Sequence, residues 1–340
     1  MQTRSLLLPL CLLSVCACGS TGGDPASSTS ESSFSPPAVE QGYTRITAKT
    51  VQGVKPGEDV TYCQYVMAPL DHDVDVLSVG GYQSKFGHHA VAMTYKPQDG
   101  EQPGSSFPCM GTEFNAGGPD GGAPNGGSLS QGTFLGGAGG EQGGKSASSL
   151  PDGVAVRLPK GYGVMLNLHY INTGDVPIDG DAVVDLQFAD PDPSRKLAAL
   201  FVNLNIGFQL PPMAPTTSTV DCVAKSDVSL IMMSNHMHEW GTSVSSQVIH
   251  ADGSVEDLHD DPSWSFDMQF NPVYSRWPVE APFVLKAGDT LRTTCNWNNT
   301  TSNPLQFPRE MCLGVGFALV SADKPTAPSC AQGTWMDSGM

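Results

Sequence analysis

The 340-residue chain lacks the features that mark membrane-spanning, nucleic-acid-binding and zinc-ribbon proteins. Past its first twenty residues, no stretch reaches the ~18 apolar residues needed to span a bilayer. Basic side chains are scarce, 17 Lys and Arg against 34 Asp and Glu, which leaves a formal charge of −17. That acidic excess disfavours phosphate backbones and anionic lipid surfaces, so no nucleic-acid partner is expected. No C-x-x-C pair occurs, and no H-E-x-x-H or H-x-x-E-H stretch sets zinc ligands beside a general base. Helical periodicity is hardly visible.

What is present are short apolar runs rich in Val, Leu, Ile and Phe, cut by Gly, Pro and Asp, as in an all-β sandwich. Expected strands are Val154 to Leu158, Val164 to Ile171, Val183 to Phe188, Leu200 to Ile206, Val228 to Met233, Thr242 to Ile249, Asp289 to Cys295 and Leu313 to Val320. Turns fall at Pro151-Asp152-Gly153, Thr173-Gly174-Asp175, Asp252-Gly253 and Ala287-Gly288-Asp289. The segment from Pro191 to Arg195 is the best domain boundary, which gives two consecutive antiparallel β-sandwich, jelly-roll-like domains over residues 42–190 and 195–330. Residues 111–148 are dominated by Gly, Ser, Asn and Gln and read as a long flexible surface loop inserted between strands.

At the N-terminus, Arg4 precedes an apolar run from Ser5 to Val15 that closes on Val15-Cys16-Ala17-Cys18-Gly19. Residues 1–18 read as a secretory signal. The cleavage region resembles the bacterial lipoprotein box, with Cys18 as the lipidated residue; an ordinary signal-peptidase cut nearby is the alternative. Residues 19–41 lack apolar periodicity and read as a flexible tether. The expected location is the bacterial cell envelope, at the outer membrane or cell surface, with the membrane touched only through a lipid anchor, or else the medium. Cys11, Cys16 and Cys18 belong to this leader. The six others, Cys63, Cys109, Cys222, Cys295, Cys312 and Cys330, are an even set in an exported chain, and that compartment favours disulfides.

Six candidate soft-metal ligands occupy four short stretches: Gly87-His88-His89-Ala90, Asn167-Leu168-His169-Tyr170, Asn235-His236-Met237-His238 and Arg309-Glu310-Met311-Cys312. Imidazole suits several transition metals, whereas a thioether is soft and favours Cu(I), so the combination points to copper. His236 and His238 are two apart on an expected strand, which puts both rings on one face. Adjacent His88 and His89 would point to opposite faces of a regular strand. They share an ion only at a strand end, a bulge or a sheet edge, and Gly87 permits such a distortion. Alternation places Leu166, Leu168 and Tyr170 on one face and Asn167 with His169 on the other. Taken alone, a histidine like His169 is more often structural, and Met311 more often core, since Leu313, Val315 and Phe317 follow it in alternation. His72, His250 and His259 sit in acidic or turn-like surroundings and are assigned to the surface.

Together and in this order, the stretches resemble the copper type II, ascorbate-dependent monooxygenases, the family of peptidylglycine hydroxylating monooxygenase and dopamine β-monooxygenase. The matching residues are His88-His89, Leu168-His169-Tyr170, His236-Met237-His238 and Glu310-Met311-Cys312, and the likeness runs from about Tyr62 to Val320. The resemblance implies disulfides Cys63–Cys109, Cys295–Cys312 and Cys222–Cys330. It implies two coppers per chain, one in each domain. His88, His89 and His169 would hold the electron-supplying ion; His236, His238 and Met311 would hold the ion that activates O2 and would be the catalytic set. A small-molecule substrate and ascorbate, or another one-electron donor, complete the expected chemistry, in a chain expected to be monomeric. The positions that hold the substrate carboxylate in the peptidylglycine enzymes correspond to Ser234, Leu313 and Val315, which lack a cation. The resemblance therefore points away from C-terminal glycine peptides and toward a smaller or more apolar substrate. The rival from another class is a copper-binding lipoprotein without turnover; a zinc hydrolase is a weaker third, disfavoured by Met311.

Overall fold

The computed structural model describes residues 34–97, 101–109, 134–139, 144–145, 150–269, 271–307 and 309–337. The leader, Cys18 and the first part of the tether lie outside these residues, so the lipid-anchor reading is a matter of sequence alone. The described chain is all-β, and its one helical turn is the 3-10 segment Phe266–Gln269.

The N-terminal half packs two sheets face to face. One has the order Ser106–Pro108, Asp59–Met67, Gly163–Ile171, Gly87–Tyr95, Phe134–Gly139. The facing sheet includes Thr44–Thr47, Ala182–Ala189, Val74–Gln83 and Val154–Leu158. Period-two alternation explains the packing. Val164, Leu166, Leu168 and Tyr170 enter the core between the sheets with Val76, Val79 and Val184, while Met165 points to a smaller cluster with Cys63, Tyr65 and Tyr95. Leu166 and Leu168 are wholly buried, and each such side chain contributes about 1.5–3 kcal/mol relative to exposure.

The second half repeats the plan. Lys196–Asn205, Cys312–Val320 and Val228–His236 pack against the four-stranded sheet Ala214–Val223, Thr290–Asn299, Gly241–Ile249, Val255–Asp261. Phe201, Leu230 and Met233 meet Val248, Leu258 and Leu291 in this core. One sheet passes through both halves, because Lys196 and Leu197 pair in parallel with Val154 and Ala155. At that junction the fully buried Asp75 accepts from Arg157 Nε at 2.6 Å and also bonds Arg195. The connection 190–195 lies just before it.

All the strands expected from the sequence are present, with ends moved by a few residues. The Gly-rich insertion needs correction, because Phe134–Gly139 and Gly144–Lys145 inside it are strands. Phe134–Gly139 pairs with Gly87–Tyr95. Leu135 enters the core, and at Gly136 and Gly137 a Cβ would come within 2.6 Å of Val79 and 3.0 Å of Val91. The glycines that made the segment look like a loop let its backbone lie this close. The rest of the insertion lies outside the described residues. Three disulfides, Cys63–Cys109, Cys222–Cys330 and Cys295–Cys312, cross-link the fold. They fit export to an oxidising compartment, and no helix of the described residues is long and apolar enough to cross a membrane.

Candidate metal centre

The adjacent histidines reach one point through a β-bulge. Between Gly87–Tyr95 and Gly163–Ile171 the register runs His169 opposite His89, then Tyr170 opposite Gly87, so His88 is the extra residue. A bulge of this kind bends its strand and re-aims a side chain. The entry to it is fixed: Phe86 has a left-handed φ of 67°, and a Cβ on Gly87 would lie 2.3 Å from Gln83 Cβ. As a result His88 Nδ1 and His89 Nδ1 are 3.3 Å apart. That is the separation of two ligands on one tetrahedral ion with bonds of about 2.0–2.1 Å. His169 completes the group, and one ring nitrogen from each of the three lies within 4.8 Å of the others.

The outward ring nitrogens are held by neighbours. His89 Nε2 donates to Asn167 Oδ1 at 2.8 Å, and the Asn167 amide nitrogen lies 3.4 Å from Cys109 Sγ. His169 Nε2 meets Asp59 Oδ1 at 2.5 Å. His88 Nε2 lies 3.0 Å from the Gln269 amide nitrogen. Gln269 Oε1 is buried without a hydrogen-bond partner, so turning this amide gives a protonated His88 Nε2 an acceptor. Holding one imidazole nitrogen this way fixes the tautomer and frees the other as a ligand. The donor set thus fits a nitrogen-ligated transition metal.

The second set lies beside the first. His236 ends the strand Val228–His236, whereas His238 lies past it, so the expectation of both on a strand holds only for His236. Their rings nevertheless stand 5.2 Å apart and perpendicular, with Met237 turned into the core behind them. Trp264 Nε1 donates to His238 O at 3.0 Å, and His238 Nδ1 lies 3.1 Å from Arg309 O. Half-buried Met311 directly precedes Cys312–Val320, whose Leu313 pairs with His236. Its backbone is therefore at the same end of the sheet as both histidines. The His88 and His238 rings are only 5.7 Å apart. Asp59 bridges the halves, with Oδ2 accepting from Arg309 Nη1 at 2.7 Å while Oδ1 serves His169. The Arg309 guanidinium in turn lies 5.1 Å over the Trp240 ring.

Burial first, and neighbouring imidazoles second, depress the histidine pKa values. His89 is brought to about 3, with His169 the next cause; His238 to about 3, with His236 the next cause; His236 to about 4. His88 is pushed down strongly by burial and then by the charges of His89, His169, His238 and His236. All four are neutral at physiological pH, the form that binds metal. Asp59 is raised by burial, but His169 and Arg309 outweigh that and hold it below the usual carboxylate range.

Residues 203–314 match the family model of the copper type II ascorbate-dependent monooxygenase C-terminal domain. The match is confined to that segment. It carries His236, His238 and Met311, while the His88, His89 and His169 group precedes it. No curated protein sequence matches the chain. Among solved structures, the major capsid protein of bacteriophage PM2 is 10% identical with a TM-score of 0.32, over 83% of this chain and 99% of its own. PBCV-1 VP54 is 8% identical with a TM-score of 0.29, over 84% and 94%. These scores are too low to equate the folds.

Among residues that the sequence did not single out, Asp59 and Gln269 are the most direct, since each touches a histidine of the first set. Neither carries a local signal: Asp59 opens a strand 110 residues before His169 and Gln269 lies 181 residues after His88. Of the three histidines assigned to the surface, His72 is exposed, but His259 is 7% exposed and needs correction. Its Nδ1 lies 3.0 Å from Ser275 Oγ and its Nε2 3.3 Å from Asp261. Asp261, one of the acidic neighbours that suggested the surface, is itself buried beside it.

Proposed function

We propose that the chain is a two-copper monooxygenase that hydroxylates a C–H bond of a small, largely apolar substrate with O2 and an external one-electron reductant of the ascorbate kind. The observation that carries this reading is the convergence of His88, His89 and His169 beside the His236/His238 pair of the family-matched segment. His88, His89 and His169 would hold one copper, with Gln269, Asn167 and Asp59 orienting them. His236, His238 and Met311 would hold the other. Copper cycling between Cu(I) and Cu(II) supplies single electrons, and two ions supply the pair needed to insert one oxygen atom and reduce the other to water.

The substrate reading rests on the sheet beside His236. Ser234 pairs with Val315 and His236 with Leu313, and directly opposed residues on antiparallel strands share a face. The surface next to His236 is thus two aliphatic side chains and a small hydroxyl, with the Ser234 Oγ already donating to Asn235 O at 3.4 Å. These positions favour an apolar group and themselves carry no cation, although Arg276 lies opposite Met232 two residues before Ser234, with Nη1 3.7 Å from the Met232 sulfur. Attachment to the cell envelope through Cys18 belongs to the same proposal.

Aerobic reconstitution is expected to give close to two coppers per chain, reductant-dependent O2 consumption, and a fall to one copper in both His169→Ala and His236→Ala. A single copper in the parent, lost in His236→Ala but kept in His169→Ala, would refute the two-site reading. Two coppers with no O2 consumption across apolar substrates would instead favour a protein that holds copper without turnover.

A further inference from the structure

We propose that Glu310 is the positioning residue of the His236, His238 and Met311 set, its carboxylate fixing the backbones of two ligands against one another. The proposal rests on Met311 being a copper ligand. Glu310 is fully buried. A carboxylate out of water is costly unless it is hydrogen-bonded or paired, yet the adjacent Arg309 guanidinium is turned away to Asp59 and Trp240. Four N–H groups satisfy Glu310 instead. Oε1 accepts from Trp240 N at 2.7 Å. Oε2 accepts from His238 N at 3.1 Å, Trp297 Nε1 at 2.9 Å and Met311 N at 3.3 Å.

Two of these donors matter most. His238 N and Met311 N converge on one oxygen, although the residues come from segments 73 positions apart by their numbers. A shared acceptor sets the distance between those backbones, and so the origin from which both side chains reach toward a metal. The turn after His238 is held as well, through Trp240 N. On the other side of Met311, Cys312 is tied to Cys295, so the thioether residue sits between two anchors. An apolar residue of similar size would leave these N–H groups without their acceptor, which destabilises the fold wherever they stay buried. A glutamine presents an amide N–H₂ to at least one N–H donor.

Glu310→Gln and Glu310→Asp test this, with Trp297→Phe as control. The aspartate keeps the charge but withdraws the carboxylate by one methylene. The control removes one side-chain donor and leaves all three backbone donors. Each full-length variant is loaded with Cu(I) and read by X-ray absorption, by competitive Cu(I) titration and by non-reducing peptide mapping of Cys295–Cys312. Both Glu310 variants are expected to lose the sulfur scatterer, keep the disulfide, and bind one of two coppers about 10–100-fold more weakly, the range for loss of a ligand-orienting contact. The other copper stays. Trp297→Phe is expected to keep its sulfur.

A sulfur signal and affinity unchanged from the parent in either folded Glu310 variant would overturn the proposal, and Glu310→Asp decides alone if Glu310→Gln does not fold. Loss of sulfur in Trp297→Phe at matched thermal stability would also overturn it, because the effect would then follow packing. Absence of sulfur from the parent spectrum would remove the Met311 ligand assignment itself, an outcome distinct from the others.

Discussion

Gly87→Ala probes whether backbone geometry, more than histidine identity, assembles the first ligand set. Gly87 opens the bulge that carries His88. An added Cβ would stand 2.3 Å from Gln83 Cβ, 2.9 Å from Gln83 Cδ and 3.0 Å from Ser84 O. The side chain of Gln83 cannot move aside at its Cβ, so the strand must shift, and overpacking of this kind costs about 1–3 kcal/mol. At about 2–4 °C per kcal/mol for a larger domain, Tm should fall by several degrees. A shift there separates His88 Nδ1 from His89 Nδ1, now 3.3 Å apart. The expected result is a folded protein with one copper of two lost or bound at least tenfold more weakly. Gly153→Ala is the comparison: it has a left-handed φ of 77° but nothing within 4 Å of the added Cβ. It should cost about 1–2 kcal/mol of stability from the left-handed backbone alone and keep both coppers. If Gly87→Ala binds two coppers with parent affinity, the bulge does not set the ligand geometry.

Asp75→Ala leaves two guanidiniums without their shared carboxylate at the junction of the halves; breaking such a buried pair should cost about 3–5 kcal/mol in chemical denaturation, and a loss under 1 kcal/mol would assign the junction's stability elsewhere. For the metal-free protein, His89, His236 and His238 are depressed to about 3–4, so the unfolded chain takes up protons that the folded chain refuses. Stability should be complete above the unfolded value of about 6.5 and fall as pH drops from there toward 3–4, by up to about 1.4 kcal/mol per pH unit per imidazole; equal urea midpoints at pH 7 and pH 5 would contradict this. Met311→Leu should keep the fold within about 1.5 kcal/mol while removing sulfur from the Cu(I) absorption spectrum and abolishing hydroxylation. Unchanged copper chemistry would return Met311 to a packing role.

The strands that were legible in the sequence are those whose apolar residues alternate, such as Gly163–Ile171 and Cys312–Val320. Ala214–Val223 was not, although its exposure alternates just as regularly. Its outward positions are Pro, Thr, Asp and Val, and its inward ones include Thr and Ser, so burial follows period two while hydropathy does not. Phe134–Gly139 fails for a different reason. Glycine is what permits its backbone to approach Val79 and Val91, yet in a linear reading glycine argues against a strand.

The site shows the same division between what composition encodes and what register decides. Two adjacent histidines cannot serve one ion from a regular strand, so the sequence alone restricts His88 and His89 to a strand end, an edge or a bulge. Which of these the protein uses depends on where Gly163–Ile171 lies alongside, and the slip between His169 and Tyr170 selects the bulge. That register also fixes Asp59, because the neighbouring strand Asp59–Met67 runs with Asp59 opposite Ile171 and Thr61 opposite His169. Asp59 therefore reaches His169 along the sheet edge and meets Arg309 from the other half. No spacing rule links residues so far apart in the chain. The carboxylate is informative only because two independent alignments, strand to strand and half to half, bring an imidazole and a guanidinium to its two oxygens.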